Sequence, residues 1–121
     1  MKLMFDTIKV KDMEASLGFY RDTLGLKIAR QFQAGPNRIV FLETGGAELE
    51  LIAAPGHEQL SAGTNLSLGF EVDSLDEVLK VLEQAGIPLY AGPMSPSPQI
   101  RFALVRDPDG VILQLSEHLN A

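Results

Sequence analysis

The chain has 121 residues, 45% of them hydrophobic and 21% charged, a composition that indicates a globular protein and excludes a disordered one. It contains no cysteine, which excludes disulfides and thiolate metal sites, and its net charge of -6 with scattered basic residues argues against nucleic acid as a partner. No apolar run approaches the roughly 20 residues that span a membrane, and Asp6 comes too early for a signal peptide. We therefore expect one cytoplasmic domain with no membrane partner.

The first part of the chain predicts the order strand, helix, strand, strand, strand. Residues 3–10 alternate apolar and polar side chains as a strand does. Asp12 suits the N-cap of a helix whose apolar residues recur at steps of 4, 3 and 4, and Gly25 suits its end. Turn-forming residues then separate three predicted strands, at 26–33, 37–44 and 47–53.

The second part repeats this order after a linker at 54–64 that shows no periodicity. A predicted strand at 66–72 precedes a helix that begins at a capping box formed by Ser74 and Glu77 and ends at Gly86. The remaining strands are predicted at 87–90, 99–106 and 111–117, with an irregular loop at 94–98.

The two parts of the chain superpose with nearly constant spacing. Three pairs of residues at matching positions are each 62 residues apart: Val10 and Val72, Leu17 and Leu79, and Tyr20 and Leu82. This repetition predicts an α+β fold of two tandem βαβββ modules within one domain, at about 1–53 and 65–121. We expect each module to curl its mixed sheet into half of a cup, with the helices outside. The side chains expected to face the helices are Ile8, Val10, Phe70 and Val72.

Several short motifs accompany the duplication. They are Ile8-x-Val10, Phe19-Tyr20, Leu24-Gly25-Leu26 and the tight turn Asp107-Pro108-Asp109-Gly110. With them, essentially the whole chain resembles the vicinal oxygen chelate superfamily, which includes glyoxalase I, extradiol dioxygenases and bleomycin-binding proteins. The resemblance implies the glyoxalase/bleomycin resistance fold and a homodimer. It does not imply one function, because this fold supports many, so function has to be argued from the side chains.

The resemblance also implies a site for a divalent metal, held by four side chains that face the cup. In this sequence those positions fall on Phe5, Glu50, Ser67 and Gln114. Similar proteins have histidine at the first and third positions, where this chain has a phenylalanine, which cannot bind a metal, and a serine, which binds poorly. The only histidines, His57 and His118, lie in the linker and beyond the last predicted strand, so we expect neither to face the cup. We therefore expect no metal and no other cofactor.

The same parity predicts which residues contact a ligand in the cup. The predicted ligand-binding residues are Phe5, Thr7, Glu48, Glu50, Ser67 and Gln114. Phe5 either stacks on a flat ligand or fills the space of the missing metal. Lys9 and Glu71 share the parity of the cup, and either select the ligand or are ordinary surface charges at strand ends.

Three functions are consistent with these residues. The first is a metal-independent protein that binds a small organic ligand in the cup. The alternative is a glyoxalase-I-like lyase or isomerase with an atypical metal site, in which Glu50 is the general base. The third is a structural or regulatory subunit whose cup is filled.

Two arginines occupy related positions on the predicted strands. Arg38 and Arg101 either pair with a ligand carboxylate or form surface salt bridges, and we favour the salt bridges. Their parities relative to neighbouring apolar residues differ in the sequence, so we do not expect both to contact a ligand.

Overall fold

A computed structural model describes residues 1–61, 63 and 65–119 of the chain. The chain divides into two units, residues 1–61 and 62–121, and each contains one four-stranded sheet. Both units follow the order strand, helix and three strands, so the predicted α+β fold of two βαβββ modules is confirmed. No helix among the described residues is long and apolar enough to cross a membrane.

The first module begins with strand β1 and helix α1, and its three remaining strands form a meander. Their bounds are β1 Phe5–Val10, α1 Met13–Leu17, β2 Lys27–Ala34, β3 Asn37–Glu43 and β4 Glu48–Ala53. The strand order in the sheet is β1-β4-β3-β2. The β1–β4 pair is parallel and the other two pairs are antiparallel, so the sheet is mixed.

The first helix is not α-helical along its whole predicted length. Asp12 caps it as expected, since its carboxylate accepts the backbone N–H groups of Glu14 and Ala15. The chain then widens into a π-helical segment, Gly18–Thr23. Gly25 ends the element with a φ of 81°, a backbone conformation that glycine adopts without steric cost.

The second module repeats this arrangement with a longer, regular helix. Its elements are β5 Ser67–Glu71, α2 Leu75–Gln84, β6 Leu89–Ser97, β7 Ile100–Arg106 and β8 Ile112–His118. The strand order is β5-β8-β7-β6, which is the first module's order again, and the β5–β8 pair is parallel. The capping prediction holds for Ser74, whose hydroxyl accepts the N–H of Glu77, while the carboxylate of Glu117 accepts the N–H of Leu75 at 2.7 Å.

One prediction about an irregular segment was wrong. Residues 94–98 were expected to form a loop, but β6 continues to Ser97. The two prolines, Pro93 and Pro96, are tolerated there because β6 is an edge strand with several register shifts, so a missing N–H breaks no regular ladder. The predicted linker also contains a short 3₁₀ turn, His57–Gln59.

The tight turn between β7 and β8 is structural, as predicted. Asp107 is only 5% exposed, and its Oδ1 accepts the N–H groups of Asp109 at 2.8 Å and Val111 at 2.9 Å. A carboxylate that satisfies two backbone donors fixes the path of the chain from one strand to the next.

Each sheet buries one face against the helix of its own module. Among the fully buried side chains are Val10, Leu17, Tyr20, Val40 and Leu51 in the first module, and Leu75, Leu82, Val105, Leu113 and Leu115 in the second. Of the residues expected to face the helices, Val10 is buried, whereas Ile8, Phe70 and Val72 are half-buried. The opposite face of each sheet is therefore the one available to a ligand.

The two arginines form surface salt bridges, which is the interpretation that the sequence favours. Arg38 contacts Glu14 at 2.6 Å, and Arg101 contacts Asp76 at 2.8 Å. Both acids lie in the first turn of their module's helix, so the two bridges are equivalent. The sequence obscured this because the strand register, which sets the face, is decided by pairing with the neighbouring strand.

Candidate functional site

The face of the first sheet that points away from the core brings together four of the predicted ligand-binding residues. Phe5 lies opposite Glu48, and Thr7 lies opposite Glu50, in the parallel β1–β4 pair. Residues opposite each other in a ladder point to the same side of the sheet, and the intervening Leu49 and Leu51 are buried on the other side. We call this surface the open face of the first sheet.

Thr7 and Glu50 are joined directly. The Thr7 hydroxyl donates to Glu50 Oε1 at 2.7 Å, across the two strands. The Glu50 side chain is half-buried, so this hydrogen bond fixes one carboxylate oxygen and leaves Oε2 for another donor. A carboxylate held in this way can accept a hydrogen bond from a ligand or take a proton from one.

Glu48 forms an ion pair with Arg30, a residue that the sequence did not predict to belong to the site. Arg30 NH1 and NH2 donate to the two Glu48 oxygens at 3.0 and 2.9 Å, which is a bidentate ion pair. The guanidinium also lies 4.1 Å from the centre of the Phe41 ring, in a cation–π contact. Arg30 thus crosses β3 from its own strand, and neutralises the charge of Glu48.

Three phenylalanines form the apolar part of the open face. The ring of Phe41 is 7% exposed, and those of Phe5 and Phe32 lie 5.7 and 6.4 Å from it, centre to centre. Phe5 is 41% exposed and Phe32 is 48% exposed, so two aromatic rings remain accessible beside the charged groups. Large accessible rings next to polar groups are typical of ligand-binding surfaces.

A β-bulge in β2 decides that Arg30 and Phe32 reach this face. Ile28 lies opposite the buried Leu42, whereas Arg30 lies opposite Phe41, because the register shifts between Ile28 and Arg30. Without that shift, Ile28, Arg30 and Phe32 would all share one face. The alternation in the sequence carries no signal of the bulge, and these two residues were therefore missed.

The other two predicted ligand-binding residues belong to the second sheet. Ser67 lies opposite Ile112, and Gln114 lies opposite Gly69, so the two occupy the ladder positions that Phe5 and Glu50 occupy in the first sheet. Gln114 Nε2 donates to the Ser116 hydroxyl at 3.0 Å. On this face Gln114 therefore lies next to the hydroxyl of Ser116, and Glu71 lies opposite Ser116 in the ladder.

The expectation that His118 lies beyond the last strand and away from the cup-facing side was wrong. Strand β8 includes His118, which has the same parity as Gln114 and Ser116. Its Nδ1 lies 3.8 Å from Glu71 Oε2, and both side chains are more than half exposed. His57 instead contacts the backbone carbonyl of Ile52 at 3.1 Å.

Comparison with known proteins agrees with this architecture. The model of the Glyoxalase/Bleomycin resistance protein/Dioxygenase superfamily matches residues 5–115, which is most of the chain. The chain belongs to that superfamily. It is 28% identical over 130 residues to lactoylglutathione lyase of Escherichia coli O157:H7, an alignment that covers 100% of this chain and 96% of the relative.

Solved structures of superfamily members share the fold. The glyoxalase I of Leishmania major, described as trypanothione-dependent, aligns with a TM-score of 0.83 at 22% identity, over 97% of this chain and 86% of that one. The antibiotic binding protein TnmS3 of Streptomyces sp. CB03234 aligns with a TM-score of 0.77 at 23% identity, over 98% of this chain and 96% of that one. Both likenesses establish the fold alone.

The superfamily's metal site has no matching donor set in this chain. Of the four positions, Phe5 has no donor atom and Ser67 is a neutral hydroxyl, while the amide of Gln114 is bonded to Ser116. Glu50 is the one ionisable ligand, and Thr7 already donates to it. Among the residues that the structure describes, no three histidine, aspartate or glutamate side chains are grouped to hold a metal. These residues do not fit a divalent metal.

Proposed function

We propose that this superfamily member is a metal-independent small-molecule-binding protein, and that its ligand lies on the open face of the first sheet. One observation carries the proposal: the accessible rings of Phe5 and Phe32 share a sheet face with a carboxylate, Glu50, that Thr7 holds in a fixed position. Apolar contact area with a few fixed polar groups is the usual composition of a ligand site. The Streptomyces structure, which is that of an antibiotic binding protein, shows the same fold in a binding role.

The proposal is tested by binding of a neutral aromatic probe, 2-naphthamide, to protein dialysed against EDTA. We expect the probe to bind, and Phe5→Ala and Phe32→Ala to weaken binding several-fold, because each removes an accessible ring. Tyr90→Ala is the matched control, since Tyr90 is an exposed aromatic residue, 52% accessible, in the second unit. Adding zinc, nickel or manganese should change neither the affinity nor the melting temperature.

Three results would contradict this function or part of it. If 2-naphthamide does not bind at any concentration it can reach, the open face is not a site for aromatic ligands. If Tyr90→Ala weakens binding as much as Phe5→Ala does, the probe binds elsewhere. Stoichiometric metal in the purified protein, removed together with binding by EDTA, would contradict the metal-independent part of the proposal.

A lyase or isomerase is the second candidate, favoured by the names of the curated relatives and by the carboxylate of Glu50. In such a reaction Glu50 would take the proton from a carbon next to a carbonyl. The nearest guanidinium, that of Arg30, is occupied by both oxygens of Glu48 and is not available to stabilise the resulting anion. We therefore expect lactoylglutathione to react no faster with this protein than with its Glu50→Gln variant, as measured by loss of the thioester absorbance.

We also infer that the protein is a homodimer, on the basis of its family resemblance. Light scattering on the purified chain tests this inference, and the mass of a single chain, 13.2 kDa, would contradict it.

A further inference from the structure

We infer that the open face of the first sheet selects aromatic organic cations, with Glu50 as the group that pairs with the positive charge. This inference rests on the proposed binding function and adds the class of ligand to it. It is carried by the charges on the face, where Glu48 pairs with Arg30 and Glu43 lies opposite Lys27, whereas Glu50 lies opposite the neutral Thr7.

Arg30 offers little to an anionic ligand. Two of its nitrogens donate to the two oxygens of Glu48, and its guanidinium plane lies over Phe41, so both its hydrogen-bonding edge and one of its faces are already in use. To bind Arg30, an anionic ligand would have to displace the bidentate carboxylate of Glu48. The Arg30–Glu48 pair therefore contributes no net charge to the face.

Glu50 is not paired in this way. Glu50 forms no ion pair with any residue that the structure describes. The hydrogen bond that its carboxylate accepts comes from the neutral hydroxyl of Thr7. Two further cations share this parity: Lys9 lies opposite Ile52, two residues further along the ladder, and Lys27 lies opposite Glu43. Glu50 is therefore a half-buried carboxylate that a cationic ligand can reach and pair with.

The neighbouring rings specify the rest of the ligand. Phe5 lies two residues before Thr7 on the same strand and the same face, so its accessible ring is at the position diagonal to Glu50 in the β1–β4 pair. A flat aromatic body can rest against this ring while a charged N–H donor reaches the carboxylate. An amidinium on an aromatic ring has this combination, as do protonated aryl amines.

Three probes of nearly the same shape separate charge from shape: 2-naphthamidine, which is cationic, 2-naphthamide, which is neutral, and 2-naphthoate, which is anionic. By calorimetry at neutral pH and low salt we expect the cation to bind about tenfold more tightly than the amide, the difference that one charge-assisted hydrogen bond contributes. The anion should bind more weakly than the amide. The preference for the cation should fall as salt is raised.

Glu50→Gln tests the assigned residue, because it keeps the shape and an oxygen for Thr7 but removes the charge. We expect it to abolish the difference between 2-naphthamidine and 2-naphthamide. Glu77→Gln, on the exposed side of α2, changes the net charge of the protein equally and should leave the cation preference intact. Thr7→Val should reduce the cation preference several-fold, since Thr7 positions the carboxylate.

The outcomes are distinguishable. Equal or tighter binding of 2-naphthoate, or a cation preference that survives Glu50→Gln, overturns this inference while the binding function stands. Failure of all three probes to bind overturns both. Retained melting temperatures in the variants will show that any loss of preference is not a loss of fold.

Discussion

At one ladder position the first module carries Glu50 opposite Thr7, and the second module carries Gln114 opposite Gly69. Behind these positions the two modules are alike, with the same strand order and an ion pair of the same kind from a strand to the first turn of the helix. The buried face and the helix are alike in the two modules because their residues pack against each other. The residues of the open face have no such partners and can differ between the modules. In the first module that face carries the carboxylate of Glu50 beside accessible phenylalanines, whereas in the second the equivalent position carries the neutral amide of Gln114, with Glu71 and His118 further along the strands.

The largest expected difference between the modules is in the packing of equivalent leucines. Leu17 is fully buried, whereas Leu79 is half-buried and lines an open groove of about 480 Å³ beside Ile87. We expect Leu17→Ala to lower the free energy of unfolding by about 3 kcal/mol and Leu79→Ala by about half as much. Urea denaturation of both variants measures this, and equal losses would show that the two helices are buried to the same extent.

A smaller effect is expected where the first module buries a hydroxyl. Ser16 lies 62 residues before Val78 and is fully buried, and no described residue forms a hydrogen bond with its Oγ. Ser16→Ala should therefore raise the free energy of unfolding by about 1 kcal/mol, because an unpaired buried hydroxyl costs more than a methyl group. Ala15→Ser is the control, because it adds a hydroxyl at the neighbouring position of the same helix. A loss of stability in Ser16→Ala would reveal a bond or packing role for the hydroxyl.

The charge difference between the two open faces can be enlarged by removing Arg30. Arg30→Gln leaves both Glu48 and Glu50 unneutralised, so we expect 2-naphthamidine to bind about threefold more tightly and 2-naphthoate less tightly. Calorimetry on this variant measures both changes. Arg38→Gln, which breaks the ion pair on the helix side, is the control and should change neither.

The smallest effect is expected for the two equivalent salt bridges. Double-mutant cycles for Arg38 with Glu14 and for Arg101 with Asp76 should each give a coupling of about 0.5 kcal/mol or less, because all four side chains are substantially exposed. The two values should agree within error. A clearly larger coupling in one module would show that the modules differ on the helix side as well.

The sequence predicted most of the scaffold, and for a physical reason. Alternation along β1 and β4 placed Phe5, Thr7, Glu48 and Glu50 on one side of a sheet, because a strand has a side-chain period of two. The constant spacing of 62 residues showed the duplication, since matching buried positions need matching residues. Asp12 and Ser74 marked the helix starts through the orphan N–H groups that they satisfy.

The candidate site was predicted only in part, because strand register is a property of the pair of strands. The bulge between Ile28 and Arg30 turned Arg30 towards Glu48 and Phe41, and no pattern in β2 signals it. The extension of β8 to His118, and of β6 through its prolines, depended on the neighbouring strand and on the edge of the sheet.

By itself, therefore, the sequence determined the two modules, their helix caps, the buried stripes and the loss of the metal-binding histidines. These follow from local periodicity and from the chemistry of single side chains. Tertiary structure alone decided which acid is neutralised. Arg30 and Glu48 are 18 residues apart in the chain. They come into contact because a single strand, β3, separates β2 from β4 in the sheet. Because Arg30 donates to both oxygens of Glu48, it is not available to Glu50.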